Sequence, residues 1–322
     1  MKKWLLAFLF MALAATPSFA EKWMFAVIAD NRTAFSAYRN VVEEIRDLKA
    51  NPAPLFPPAD FVLGCGDLSP VDKNDDIYKE IYKGKQPPFF PVRGNHETSQ
   101  DIAYGIEHLL PLSGKDIKLH GQGCESYYVD WKNIRLIVLD QYCDFSRVFG
   151  GSMALKWLEE TIASATAADH VFIALHEPLL PTDLASDAFW KTLFKHKDKV
   201  RALFAGHYHS YDRKQFPKQK GGIYYINVGN AGWITHSDNK QTIVEVMIDS
   251  GKATFRTVQA PNGSTDFKVK EEWESNSTKS DDHKNKSRMR KKLIGSPAWK
   301  SLEQLWECIS LPASLRGPLR IS

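Results

Sequence analysis

Six residues of metal-ligating type, Asp30, Asp67, Asn95, His176, His207 and His209, follow one another along the chain, at the ends of short hydrophobic runs. Carboxylate, amide oxygen and neutral imidazole suit divalent Zn, Mn or Fe. A single ion using all six would have no position left for substrate. Two ions can share them if one carboxylate bridges the pair. Such pairs lie about 3.5–4 Å apart and clamp the attacking and leaving oxygens of a phosphoryl transfer. They also lower the pKa of bound water from about 16 toward 7. The chemistry expected is therefore hydrolysis of a phosphoester by a metal-bridged hydroxide, with two divalent ions (Mn, Zn or Fe) as cofactors.

Five apolar runs must carry these side chains to one place. Residues 25–29 lead to Asp30, 61–66 to Asp67 and 89–94 to Asn95, His96 and Glu97. Residues 171–175 lead to His176, and 202–206 to His207, Tyr208 and His209. If all five are strands, their carboxyl ends form one rim, where open α/β sheets bind ligands. Glycine precedes Asp67, Asn95 and His207 and would allow the sharp turn that leaves each ligand facing outward. Helical patterns at 35–48, 154–165 and 188–194 interleave with these runs. A hairpin is expected at 127–140, turning near Lys132-Asn133. Further strands are expected at 223–228, 241–248 and 253–258. Short strands alternating with helices predict a mixed α/β domain with covered sheets.

These elements resemble the calcineurin-like metallophosphoesterase superfamily: Ala-Asp30, Gly-Asp67, Gly-Asn95-His96-Glu97, His176 and Gly-His207-Tyr208-His209. Gly66-Asp67-Leu68-Ser69, Tyr127-Tyr128-Val129-Asp130, Ile137-Val138-Leu139-Asp140, Trp157-Leu158-Glu159-Glu160 and the run from Gly206 to Arg213 are similar to the purple acid phosphatase branch. The resemblance spans roughly residues 23–258. It implies a four-layer αββα sandwich. It also implies that Asp67 bridges both metals, that Asp30 and His209 complete the first site, and that Asn95, His176 and His207 complete the second. His96 would contact the phosphoryl group or protonate the leaving oxygen.

Two positions depart from that pattern. Most of the superfamily has histidine two residues after the first aspartate, where this chain has Arg32. Purple acid phosphatases have tyrosine three residues after the bridging aspartate, where this chain has Pro70. Proline has no donor atom and arginine stays protonated. The first metal is thus expected to have three protein ligands and added water. Arg32 itself is read either as a surface salt-bridge residue or as a phosphate clamp that binds substrate. The loop 227–232 either lines the cleft or is a plain turn. His176 is read as a ligand against the alternative of a satisfied core histidine. His108, His120, His170, His196, His236 and His283 are expected at the surface.

The remainder of the chain bounds the setting. Its 42 basic and 38 acidic residues give a formal charge of +4. Residues 1–20 read as a signal peptide: Lys2 and Lys3, an apolar stretch, then Ser18-Phe19-Ala20. An uncleaved anchor is the alternative. Its removal leaves 40 basic against 38 acidic side chains. This near-neutral balance points to no nucleic acid partner. No membrane span is expected after signal removal. The expected location is secreted or periplasmic, which permits disulfides. Cys124 and Cys143, flanking the hairpin, are the favoured pair among the three connectivities open to four cysteines. Cys65 is read as a buried strand residue rather than a thiolate ligand.

The domain plan is signal peptide 1–20, phosphoesterase domain 21–268, and polar linker with amphipathic tail 269–322. In the tail, Trp299, Leu302, Leu305, Trp306 and Ile309 recur at helical spacing, read either as a helix docked on the main domain or as a contact for an unknown partner or a membrane surface. The expected substrate is a small phosphorylated molecule. Two other readings stand beside it: a single-metal or metal-free phosphate-binding protein without turnover, and a protein phosphatase acting on secreted targets.

Overall fold

The computed structural model of the chain describes residues 22–50, 56–110, 114–121, 124–142, 152–181, 184–218, 221–233 and 239–276. Two sheets face each other. The first has the order β13-β12-β11-β1-β2-β3, formed by β1 (Trp23–Ile28), β2 (Ala59–Gly64), β3 (Phe89–Pro91), β11 (Lys240–Asp249), β12 (Lys252–Pro261) and β13 (Lys268–Asn276). The second has the order β4-β5-β6-β7-β8-β10-β9. Its strands are β4 (Lys118–Gly121), β5 (Cys124–Trp131), β6 (Ile134–Val138), β7 (His170–Ala174), β8 (Val200–Ala205), β9 (Tyr211–Phe216) and β10 (Ile223–Val228). β1, β2 and β3 run parallel, as do β6, β7, β8 and β10.

Three apolar layers hold the sheets and helices together. Phe25, Phe61, Phe90, Phe172, Phe204 and Phe255 fill the space between the sheets. Burying each such ring is worth about 1.5–3 kcal/mol. Helices α1 (Phe35–Asp47) and α2 (Val71–Tyr82) cover the outer face of the first sheet through Tyr38, Val41, Ile45 and Tyr78. Helices α4 (Ser152–Ser164) and α5 (Leu184–Lys195) cover the second through Leu158, Ile162, Phe189 and Trp190. A short helix, α3 (Ser99–Tyr104), continues into a π-helical turn, Gly105–Leu109. This is the expected four-layer αββα sandwich. Strands buried on both faces explain why the sequence shows continuous apolar runs rather than alternation.

Six elements depart from the sequence reading, among them α3, its π-helical turn and β4, which had no expected counterpart. α2 escaped notice because two of the positions on its buried stripe are polar, Asn74 and Asp75. β9 has no fully buried residue, so it carries no apolar run. β13 falls where the linker was expected: its residues pair with β12 from Lys268 to Asn276. Described strand pairing accordingly continues to Asn276, past the expected boundary at 268. A sheet edge tolerates charged residues and is protected by them from pairing with another chain. The signal peptide, Cys143, Cys308, the side chain of Cys124 and the amphipathic tail lie outside the described residues. No described helix is long and apolar enough to cross a membrane.

Candidate metal centre

The carboxyl ends of five strands meet at one rim, three from the first sheet and two from the second. Asp30, Asp67 and Asn95 follow β1, β2 and β3, while His176 and His207 follow β7 and β8. Backbone bonds stitch the turns within each sheet: Asp30 N donates to Gly66 O (3.0 Å), Arg32 N to Asp67 O (3.1 Å) and Gly206 N to His176 O (2.9 Å). Other bonds join the sheets. His207 N donates to both oxygens of Asp30 (3.1 and 2.9 Å), and Trp233 N donates to Asp30 O (3.2 Å).

Left-handed backbone concentrates here. Asp30 (φ 56°), Arg32 (36°), Asp67 (55°), His207 (70°) and His209 (51°) all adopt it. Such conformations cost about 1–3 kcal/mol each outside glycine. Together they rival a domain's net stability. The strands and cross-bonds therefore over-determine these turns.

The glycines divide by role. Gly66, at φ 84°, provides the turning freedom expected of it. Gly94 and Gly206 lie outside the positive-φ region and are needed for close approach instead. A Cβ on Gly94 would overlap the backbone nitrogen and Oδ1 of Asp67, and one on Gly206 would lie 2.8 Å from Asp30 Oδ2.

The six expected ligands form two groups that share Asp67. Asp30, Asp67 and His209 can each turn one ligand atom into a cluster within 4.8 Å. His209 Nε2 lies 3.6 Å from Asp30 Oδ1. In the other group, His176 Nε2 lies 2.9 Å from Asn95 Oδ1, 3.3 Å from Asp67 Oδ1 and 3.3 Å from His207 Nδ1. His207 Nδ1 also lies 3.1 Å from Asn95 Oδ1.

The donor chemistry fits divalent cations. His176 Nδ1 faces the Cys65 carbonyl at 2.8 Å, so it carries the ring proton and leaves Nε2 as a lone pair. Burial holds this imidazole below its usual pKa, in the neutral, ligating form. Its Nε2 faces acceptors. A proton on His207 Nδ1 can serve only one of them, whereas a cation serves all. In the first group, burial and then the charge of Asp67 push the Asp30 carboxyl well above the usual carboxylate range. A cation between the two carboxylates removes that penalty. Cys65 is buried, its thiol pushed up by burial and by Asp30, and its role is the carbonyl behind His176.

Side chains beyond the six orient the rim. Glu97 accepts from the backbone nitrogens of Asp67 (3.1 Å), Leu68 (2.6 Å), Ser69 (2.9 Å) and Gly94, locking the turns that carry Asp67 and Asn95. Burial and Asp67 raise its carboxyl to about 7. Gln141 accepts from His176 N (2.9 Å) and Glu177 N (2.6 Å). Asn227 donates to Gly206 O (2.6 Å) and Asn230 to His209 O (3.2 Å). The loop 227–232 thus supports the site from behind. Sequence reasoning missed these as functional residues. Their signals in the sequence are Glu97 within the Gly-Asn95-His96-Glu97 run and the glycine-bearing loop 227–232, just after a buried strand.

The remaining expected residues divide. His96 is exposed, with Nε2 3.8 Å from Asp67 Oδ2 and its backbone nitrogen on Asp67 Oδ1 (3.1 Å). Arg32 stays out of both ligand groups, its guanidinium 4.2 Å from the centre of the Trp233 ring. It makes no ion pair among the described residues. His108 is exposed as expected and His196 is half-buried, but His170 is fully buried. The side chains of His120, His236 and His283 lie outside the described residues.

The chain is similar to known proteins over much of this region. The family model for calcineurin-like phosphoesterase matches residues 24–211, from β1 through the last candidate ligand. A probable purple acid phosphatase 20 from Arabidopsis thaliana is 25% identical over 201 residues, covering 53% of this chain and 45% of the relative. The chain thus spans less than half the length of that curated relative. Among solved structures, a Vps29 from Entamoeba histolytica is similar at 15% identity and a TM-score of 0.43, over 79% of this chain and 99% of its own. A Vps29 from Cryptosporidium parvum is similar at 13% identity and a TM-score of 0.43, over 79% of this chain and 98% of its own. With more than half of its residues matched by that family model, the chain belongs to the calcineurin-like phosphoesterase family.

Proposed function

We propose that this protein hydrolyses phosphoesters of small substrates with two divalent metal ions. The observation behind this reading is the convergence of lone pairs around Asp67. Asp30, Asp67 and His209 would hold one ion, and Asp67, Asn95, His176 and His207 the other. When bound, the ions supply Lewis-acid activation of the phosphoryl group and of water.

The chain's own residues position the substrate. His96 stands exposed above Asp67, placed to hydrogen-bond a phosphoryl oxygen or to protonate the leaving oxygen. Among the described residues Arg32 makes no ion pair. Stacked on Trp233, it is pre-ordered to grip a phosphate fork-wise. Glu97, Gln141, Asn227 and Asn230 fix the turns and so limit reorganisation when substrate binds. With the leader of residues 1–20 removed, the enzyme would act in the secreted or periplasmic space.

The test is turnover of p-nitrophenyl phosphate and its bis-ester by the purified chain with Mn or Zn. Hydrolysis of either supports the reading, and none with either metal contradicts it. One observation favours a second reading, single-ion phosphate binding without turnover: the first group has three candidate ligands, and Arg32 adds none. Elemental analysis separates the two, since two bound equivalents favour the enzyme and one favours the binder.

A further inference from the structure

β13 reaches the metal rim through Glu271. β9 begins two residues after His209 and forms the edge of the second sheet, while β13 forms the edge of the first. Between these edges Tyr211 donates its hydroxyl to Glu271 Oε1 (2.6 Å), and Arg213 donates to Oε2 (2.8 Å). The Arg213 guanidinium also lies 4.3 Å from the Trp273 ring centre, and Trp273 stacks on Phe255 at 5.3 Å. Lys270 places its ammonium 4.4 Å from the Tyr211 ring. Burial alone would raise the Glu271 carboxyl, but the bonds from Tyr211 and Arg213 outweigh it and hold the group below its ordinary range.

The segment 206–211 carries two of the six candidate ligands, and both are in the left-handed conformation. Such residues hold their shape only where flanking contacts fix them. Asn227 fixes the first residue of the segment and Asn230 fixes His209. The far end is fixed at Tyr211, whose backbone pairs with Val228 of β10 and whose side chain is tied by Glu271.

We propose that Glu271 is a positioning residue for the metal centre: by tying Tyr211 and Arg213 it holds His207 and His209 at the spacing two ions require. The inference rests on the metal-dependent reading above. Its physical basis is that partners behind a ligand commonly govern metal affinity by 10–100-fold, though they never touch the ion. It also gives residues 268–276 a part in the site, where composition suggests a linker.

The test compares the full chain with Glu271→Ala, Glu271→Gln and Tyr211→Phe, each stripped of metal and titrated with Mn by calorimetry. Glu271→Ala is expected to weaken Mn binding about 10–100-fold. Tyr211→Phe should weaken it less, and adding it to Glu271→Ala should change nothing more, because the two share one bond. Amide exchange at 206–211 in the metal-free protein should accelerate in each variant. If Glu271→Ala does not fold, Glu271→Gln and Tyr211→Phe, which change far less, decide the matter. Unchanged Mn affinity and unchanged exchange, even with a lowered melting temperature, would overturn the proposal and leave β13 merely structural. A wild-type chain that binds no Mn would instead sink the metal-dependent reading and, with it, this role for Glu271. Exchange would then report only whether the tie to β13 exists.

Discussion

His170 opens β7, and His176 follows the last residue of that strand by two positions; both imidazoles are fully buried. At the first, Arg201 Nε donates to Nδ1 (3.0 Å) and Nε2 meets the Ser250 carbonyl (3.1 Å), so both ring nitrogens are satisfied by the protein. At the second, one nitrogen is satisfied by Cys65 and the other faces Asn95, Asp67 and His207. Burial is the same at both positions. What separates a structural histidine from a candidate ligand is whether its second nitrogen has a partner that the protein can supply. One end of the strand uses its polar groups for stability, and the other, on the proposed reading, offers them to a ligand.

The sharpest break of this contrast is His176→Asn. It should cut kcat/KM on the order of a thousandfold, the several kcal/mol an ion contributes to the transition state. Metal-stripped stability should change little, as read by urea unfolding in chelator. A variant that loses stability and keeps its activity would make His176 a structural residue.

The opposite end predicts a pH effect without a catalytic one. Burial, and then the charge of Arg201, lower the His170 pKa to about 4. Unfolded, it titrates near 6.5. Between those values the unfolded chain binds more protons than the folded one, so stability rises with pH there. Acidifying from pH 6.5 to pH 4 should therefore cost up to about 3 kcal/mol at this residue. Urea unfolding of metal-free protein across that range, beside His170→Gln, should show a flatter profile in the variant. Parallel profiles would remove His170 as the cause.

His170→Leu should next destabilise the fold by about 1–3 kcal/mol, because Arg201 loses a buried acceptor. Its kcat/KM per folded molecule should stay at the wild-type value. The smallest effect is expected at Arg32, on the rim but outside both ligand groups. Arg32→Ala should raise KM for phosphate esters about tenfold, roughly 1.4 kcal/mol, with metal content unchanged. Unchanged kinetics would place Arg32 outside the substrate's reach.

The two ends differed in legibility for the same reason that they differ in role. Asp30, Asp67, Asn95, His176 and His207 could be read from the sequence because each ends an apolar strand, where a polar residue needs a reason. His170 begins its strand, beside Asp169 and away from the ligand-bearing end, and is therefore expected at the surface. Its partners Arg201 and Ser250 lie 31 and 80 residues away, with no local pattern to connect them. Glu97, Gln141, Asn227 and Asn230 were hidden likewise, since they act through backbone groups of distant turns. The layers of the fold were legible through apolar runs. α2, with a buried stripe that includes Asn74 and Asp75, and β13, with one tryptophan among charges, were not.

The most direct measurement of the account is the metal stoichiometry of the full chain and two variants by equilibrium dialysis against Mn with elemental analysis. Two equivalents are predicted for the wild type, and one each for His176→Asn and His209→Ala, because the two groups share Asp67 and fail separately. One equivalent or none in the wild type, or no loss in either variant, would contradict a two-ion centre at this rim.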